Sequence, residues 1–572
     1  MSAAIDELIE LINQGNLDLA AENTRIFLKS TPDSAELHNV MGVIMQQQGK
    51  LEPALRYFKK AVKLNPLFSP AYSNIGSLHL AANKIDKAIR YTKKAVDLNP
   101  DDAIGLNNLG NALALTGQHE SAELYFRKAI QRLPRFSPPR NNLALLFIRS
   151  GRLDQALASA DETLEMDGSS IDAYMLKISV LELQNKLDDA EAFYEIIPDD
   201  IRTMIKSTIA KARLDYRRRK YSDVIDKLDR VLRTSSNIAI IDRAEIHYLL
   251  GASREKTSDF TGALREYGLA NSARAATTEA EQFNKLTYLN EIKRIRKAFD
   301  NFDNTIHADR ERNGPVFLIG FPRSGNTLLN KVLSGHPDIS VLDERPVSNQ
   351  LLNSLSAVNR NGELFPHLTT DKRRELQTEY FNNCYAEGAD KNSEVIIDKM
   401  PFNIIHAAQL HHVFPGAKFI FCLRLPCDAI FSSFKNHFQP NHAVSNFYTL
   451  EDTANLYHNM MSLWRVFTER SPIAFHYVYY EAFVENTPNA MSRLAAFIGL
   501  DWRTDYFQRM DNNIINLNVL TPSYRQVYNP IDQQSAYFWL NYQDALRPHM
   551  DKITPWISYF GYLNEEDRRD LA

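Results

Sequence analysis

The chain has 572 residues, enough for several domains of roughly 100–200 residues each. At 44% hydrophobic and 24% charged it can bury ordinary globular cores, and a formal net charge of −4 supplies no basic surface of the kind nucleic acid needs. Three cysteines, Cys384, Cys422 and Cys427, are too few for a disulfide framework or a zinc site and fit a reducing compartment.

Residues 1–14 mix acidic and apolar positions, which predicts neither a signal peptide nor an anchor. No run reaches the roughly 18 apolar residues a membrane span needs, so no membrane partner and a cytoplasmic location are expected. A countable period follows. Pro32, Pro66, Pro100 and Pro134 lie 34 residues apart, as do Ala20, Ala54, Ala88, Ala122 and Ala156, and Gly42, Gly76 and Gly110. A small residue lets two helices approach and a proline ends the second, so residues 1–300 resemble tetratricopeptide repeats. The unit 35–68 is the cleanest, residues 1–170 keep the phase, 171–240 are helical but degenerate, and a further repeat falls near 244–277. Such units stack into a helical solenoid with a groove. The groove suits a protein or peptide; the alternative is a scaffold that orients or homodimerises the second domain.

Residues 301–314 form an expected linker, and the pattern then changes. Apolar runs at 316–319, 395–397, 418–423 and 473–478 predict strands alternating with helices, an α/β domain over 315–572 with a mainly parallel sheet. The first strand leads into Gly320-Phe321-Pro322-Arg323-Ser324-Gly325-Asn326-Thr327 and then an amphipathic helix. Backbone N–H groups at such a turn cradle phosphate. The spacing is that of a P-loop, but Asn326 stands where its lysine would be, which points to a nucleotide that is not a triphosphate and to chemistry without Mg²⁺. At the end of the third predicted strand, Arg424 precedes Ser432 by eight residues, so a guanidinium and a hydroxyl can converge on a second phosphate.

These two motifs, in this order and these strand contexts, resemble the sulfotransferase family over roughly residues 314–560. The resemblance implies that Arg323, Ser324, Gly325, Asn326 and Thr327 bind the 5′-phosphosulfate of 3′-phosphoadenylyl sulfate (PAPS). Arg424 and Ser432 then hold the 3′-phosphate, and the product is 3′-phosphoadenosine 5′-phosphate (PAP). Repeats fused in front are similar to bacterial members whose catalytic domain resembles tyrosylprotein sulfotransferases. That branch implies Glu344 in Leu-Asp-Glu-Arg as general base, and Lys399 in Asp-Lys-Met-Pro with Arg323 as electrophilic partners. It also implies Tyr480 near the nucleotide and Ser523 in a closing loop. Tyr528 and Asn529 depart from the pattern, since the family brings a basic residue there. The implied reaction moves a sulfuryl group to a hydroxyl, a peptide tyrosine being the favoured acceptor. A carbohydrate or small molecule is the alternative, as is a nucleotide-sensing scaffold without turnover. A P-loop kinase is disfavoured by Asn326. No metal is expected, and His406, His411 and His412 are expected on a helix surface. Asp428 is expected to cap the helix after Arg424.

Overall fold

The computed structural model describes residues 2–82, 84–302, 314–358, 361–507 and 535–562. Two compact units result, Met1–Ala210 and Lys211–Ala572.

The first unit is a run of antiparallel helix pairs. Ala35–Gln47 with Leu51–Leu64, Ser69–Ala81 with Ile85–Leu98, and Ala103–Leu115 with His119–Arg132 follow the sequence period. Polar side chains start several of these helices: Ser34 accepts the Leu37 N–H and Asp102 the Ile104 N–H. Within a pair the helices touch where a Cβ does not fit, since one built on Gly42 would lie 2.4 Å from the Phe58 ring. Ala54, Phe58 and Ala61 are fully buried at that seam. Between pairs, side-chain amides form a ladder: Asn74 donates to Asn39 at 2.9 Å, Asn108 to Ser73 at 3.2 Å and Asn142 to Asn107 at 2.9 Å. Helix pairing continues through Ile171–Leu183 and Leu187–Glu195, where the sequence phase had decayed.

The second unit joins further helices to a sheet. Among the described residues the sheet has five parallel strands: β1 (Val316–Gly320), β2 (Ile339–Asp343), β3 (Val395–Lys399), β4 (Lys418–Leu423) and β5 (Ala474–Tyr479), in the order β2-β3-β1-β4-β5. The mainly parallel sheet is as expected, while β2 is an addition to the four strands read from sequence. Its short run Ile-Ser-Val-Leu-Asp lacks the continuous apolar character of β1. Alternate residues serve opposite faces. Phe317, Ile319, Phe419 and Phe421 join one core, and Val316, Leu318, Ile420 and Cys422 the other. The helix Lys285–Asp300 lays Leu289, Ile292, Ile295 and Phe299 into the first core at helical spacing. The hairpin of Ile240–Lys256 and Phe260–Ala275 enters the same core through Ala263 and Tyr267. Most of the expected linker, 303–313, lies outside the described residues. The three cysteines are free and buried. No helix among the described residues is long and apolar enough to cross a membrane.

Candidate active site

All five strands run in one direction, so the loops after them gather at one sheet edge, the place where open α/β sheets bind ligands. After β1 the chain turns through Arg323 at φ +69° and Gly325 at φ +97° into the helix Asn326–Leu333. A non-glycine residue held at positive φ, as Arg323 is, costs energy that surrounding structure must supply, and such residues cluster at ligand sites. Gly325 needs to be glycine twice over: its φ is left-handed, and a Cβ would meet the Tyr480 ring at 2.7 Å. Ser324, Asn326 and Thr327 are buried. The Asn326 side-chain amide donates to the Phe321 carbonyl at 3.2 Å, so at the position of the P-loop lysine this chain has a staple inside the loop.

β4 delivers Arg424, and the helix Pro426–Phe434 delivers Ser432. The two motifs expected to bind phosphate meet directly: Arg323 Nε donates to Ser432 Oγ at 3.1 Å, and Arg424 Nη1 donates to the Arg323 carbonyl at 3.1 Å. Arg424 Nη2 donates to the Ser535 carbonyl at 2.5 Å, and its guanidinium lies 5.0 Å from the Tyr480 ring centroid. Arg424 Nε is buried with no hydrogen-bond partner among the described residues. A buried N–H left unmet is costly, and an acceptor placed there removes the cost. Burial, followed by the charge of Arg424, pushes the Arg323 pKa down to about 10. Two guanidinium groups this close favour an anion between them.

The second cluster sits at the ends of β2 and β3. Lys399 is fully buried, its Nζ 2.8 Å from Asp343 Oδ1 and 2.5 Å from Glu344 Oε1. Parallel pairing sets this geometry, because Asp343 is in register with Lys399 and the Glu344 N–H donates to the Lys399 carbonyl at 2.8 Å. Burial works against the lysine's charge, but Asp343 and then Glu344 overcome it and hold its pKa above the usual lysine value. Glu344 also has positive φ, at +53°, and its side chain keeps some exposure. Behind the lysine, buried Asp398 accepts from the hydroxyls of Ser348 and Tyr380, and burial raises its pKa to about 6.

The structure therefore brings Arg323, Ser324, Gly325, Asn326, Thr327, Arg424, Ser432 and Tyr480 together, and sets the Glu344–Lys399 pair on adjoining strands of the same edge. Ser523, with Tyr528 and Asn529, lies outside the described residues. Asp343, the second partner of Lys399, was missed by sequence reasoning because β2 was missed. Two expectations are corrected. Asp428 does not cap its own helix, whose N-cap residue is Leu425; its carboxylate accepts the backbone N–H groups of Tyr537 and Trp539 at 2.7 and 2.8 Å. His411 and His412 are buried, not on a helix surface, with His412 Nε2 2.8 Å from the Pro366 carbonyl, because the helix Ala407–Val413 is enclosed on all sides. No group of three or more His, Cys, Asp or Glu side chains suited to a metal occurs among the described residues.

Stretches of the chain match two known families. Residues 315–504 match the sulfotransferase family, and residues 35–68, 74–138 and 141–201 match tetratricopeptide repeats. An uncharacterized protein of Aquifex aeolicus is 24% identical over 242 residues, covering 41% of this chain and 31% of its own length. Protein-tyrosine sulfotransferase A of Caenorhabditis elegans is 22% identical over 43% of this chain and 67% of its own. Protein-tyrosine sulfotransferase 2 of Gallus gallus is 22% identical over 43% and 69%. The chain thus spans about a third of the Aquifex relative and about two thirds of the two named enzymes.

Proposed function

We propose that this chain, with its tetratricopeptide repeats and sulfotransferase-family domain, transfers the sulfuryl group of PAPS to an acceptor hydroxyl. The observation that carries the reading is the meeting of Arg323, Arg424 and Ser432 beside a helix N-terminus, with a buried Arg424 N–H that has no partner among the described residues. That is a site for a nucleotide with two separate phosphates. Backbone N–H groups of 323–327 hold the 5′-side phosphosulfate, while Arg424 and Ser432 take the 3′-phosphate, with Tyr480 beneath the loop and Ser523 as a further ligand.

Glu344 accepts the acceptor's proton as its oxygen attacks sulfur, and the bond from sulfur to the bridging oxygen breaks to release PAP. Lys399 donates to Glu344 and is ion-paired with Asp343, and its ammonium also serves the bridging oxygen, on which Arg323 acts as well. The staple made by Asn326 replaces the lysine that serves triphosphates, consistent with transfer that needs no Mg²⁺. A peptide tyrosine is the favoured acceptor, supported by the named relatives and by a repeat array suited to polypeptides. The working location is the cytoplasm.

Calorimetric titration without Mg²⁺ tests the donor class. PAP is expected to bind and ADP, which lacks the 3′-phosphate, to bind far more weakly. Equal binding of the two would remove the 3′-phosphate assignment. Tyrosyl peptides, sugars and small phenols, offered with PAPS, then separate the acceptors.

A further inference from the structure

The helix Pro426–Phe434 does not end its polar face at Ser432. Lys435, its C-cap residue, is still α-helical in conformation and stands three residues on, hence on the same side of the helix as Ser432. Its ammonium is 2.9 Å from both carboxylate oxygens of Glu255 and 4.5 Å from the Phe538 ring centroid. Glu255 comes from the hairpin helix Ile240–Lys256, outside the stretch that matches the sulfotransferase family.

Glu255 does not depend on the lysine for its position. Tyr542 donates to it at 3.0 Å and Tyr267 at 3.3 Å, so the carboxylate is fixed from two other sides. The hairpin itself is held against the end of the same helix: Asn271 donates to the Phe434 carbonyl at 2.9 Å, and Tyr248 stacks on His437 with ring centroids 5.2 Å apart. A rigid carboxylate thus holds a lysine that has three N–H groups and, among the described residues, uses two. Burial, with the nearby charges of Arg323 and Arg424, lowers the lysine's pKa although Glu255 opposes this. Ser432, one turn earlier on the same side, accepts from Arg323, whose carbonyl in turn accepts from Arg424, so the lysine follows directly on the two guanidinium groups.

We propose that Lys435 is a third ligand of the nucleotide's 3′-phosphate, joining Arg424 and Ser432, and that Glu255 is the positioning residue that holds it there. This rests on the PAPS reading above. It makes the hairpin Ile240–Ala275 a working part of the nucleotide site, not only a support. An ion pair that merely docks the hairpin would move the affinity for every nucleotide alike. A ligand of the 3′-phosphate changes the affinity for PAP and spares that for adenosine 5′-phosphate.

The test is calorimetric titration of the full chain with PAP and with adenosine 5′-phosphate, with melting temperatures measured alongside. Lys435→Met is expected to weaken PAP roughly ten- to hundred-fold, the range of one charge-assisted contact, and to leave adenosine 5′-phosphate nearly unchanged. Lys435→Arg keeps the charge and is expected to keep the preference for PAP. If Lys435→Met does not fold, the double variant Glu255→Gln/Lys435→Gln, which buries no lone charge, carries the same comparison. An unchanged preference for PAP in the neutral variant, or an equal loss for both nucleotides, overturns the role of Lys435 and leaves the PAPS reading intact. A native chain with no preference for PAP overturns both.

Discussion

Lys399 faces two carboxylates in a site almost closed to water, and the two partners are not equivalent. Asp343 is as buried as the lysine, whereas Glu344 keeps an exposed edge from which to meet an acceptor. Glu344→Gln leaves the Asp343 pair intact, so folding and PAP binding are expected to persist while single-turnover transfer falls roughly 10²- to 10⁴-fold. Near-native turnover would remove Glu344 from the chemistry. Asp398, next to the lysine in sequence, makes a different prediction. Its folded pKa of about 6 lies above that of an unfolded aspartate, so the folded state binds the extra proton and stability is lost as pH rises from about 4 to 6. Ser348 and Tyr380 face this carboxylate, with Cys384 beyond them. Asp398→Asn is expected to flatten that slope, the difference from the native chain reaching on the order of 3 kcal/mol above pH 6. Urea melts at several pH values read it, and parallel pH curves for the two proteins would sink the idea.

At the scale of elements, the helix Pro426–Phe434 gathers most of the polar work. Its Asp428 ties down the backbone of Tyr537 and Trp539, Glu481 receives the Leu425 N–H at 2.9 Å, and Phe431 stacks on Tyr542. Asp428→Ala removes two bonds to a charged acceptor, each worth roughly 1.5–3 kcal/mol. Amide exchange should then quicken across 537–542 while the strands stay protected; uniform exchange across both would mean that the carboxylate holds nothing local. The sequence showed Arg424 and Ser432 because their spacing and strand context are local facts. It did not show where Asp428 points, since Asp near a helix start is a common capping residue, and the partners that claim this one lie 109 and 111 residues away. β2 escaped for a related reason: five residues with one serine and a terminal aspartate carry too weak a pattern. With β2 went Asp343, and so the charge balance at Lys399. Arg323, Glu344 and Lys399 were named from motif, but the strained φ of Arg323 and Glu344 depends on contacts no local pattern records.

Across the whole molecule, the 34-residue period gave the helix pairs of the first unit, whereas the compact units divide near residue 210, within the helix Ile205–Arg217. Helices well upstream of residue 301 share the core of the sheet: Leu289, Ile292, Ile295 and Phe299 are buried there, each contributing roughly 1.5–3 kcal/mol. Their loss together rivals the 5–15 kcal/mol by which a domain is stable. A chain beginning at Ile205 is therefore expected to fold and bind PAP like the full protein, and one beginning at Gly314 to be unfolded. Circular dichroism and calorimetry separate these, and a folded, PAP-binding chain from Gly314 would show the upstream helices to be dispensable. The enclosure of the cysteines has a practical side. Cys384, Cys422 and Cys427 are shut in the second unit, and burial raises all three thiol pKa values, those of Cys384 and Cys427 to about 12. At neutral pH they are protonated and out of reach of maleimides. A cysteine substituted for an outward residue such as Leu67, which is 73% exposed, becomes the single thiol that a fluorophore or spin label meets, so the native chain is its own silent background for spectroscopy.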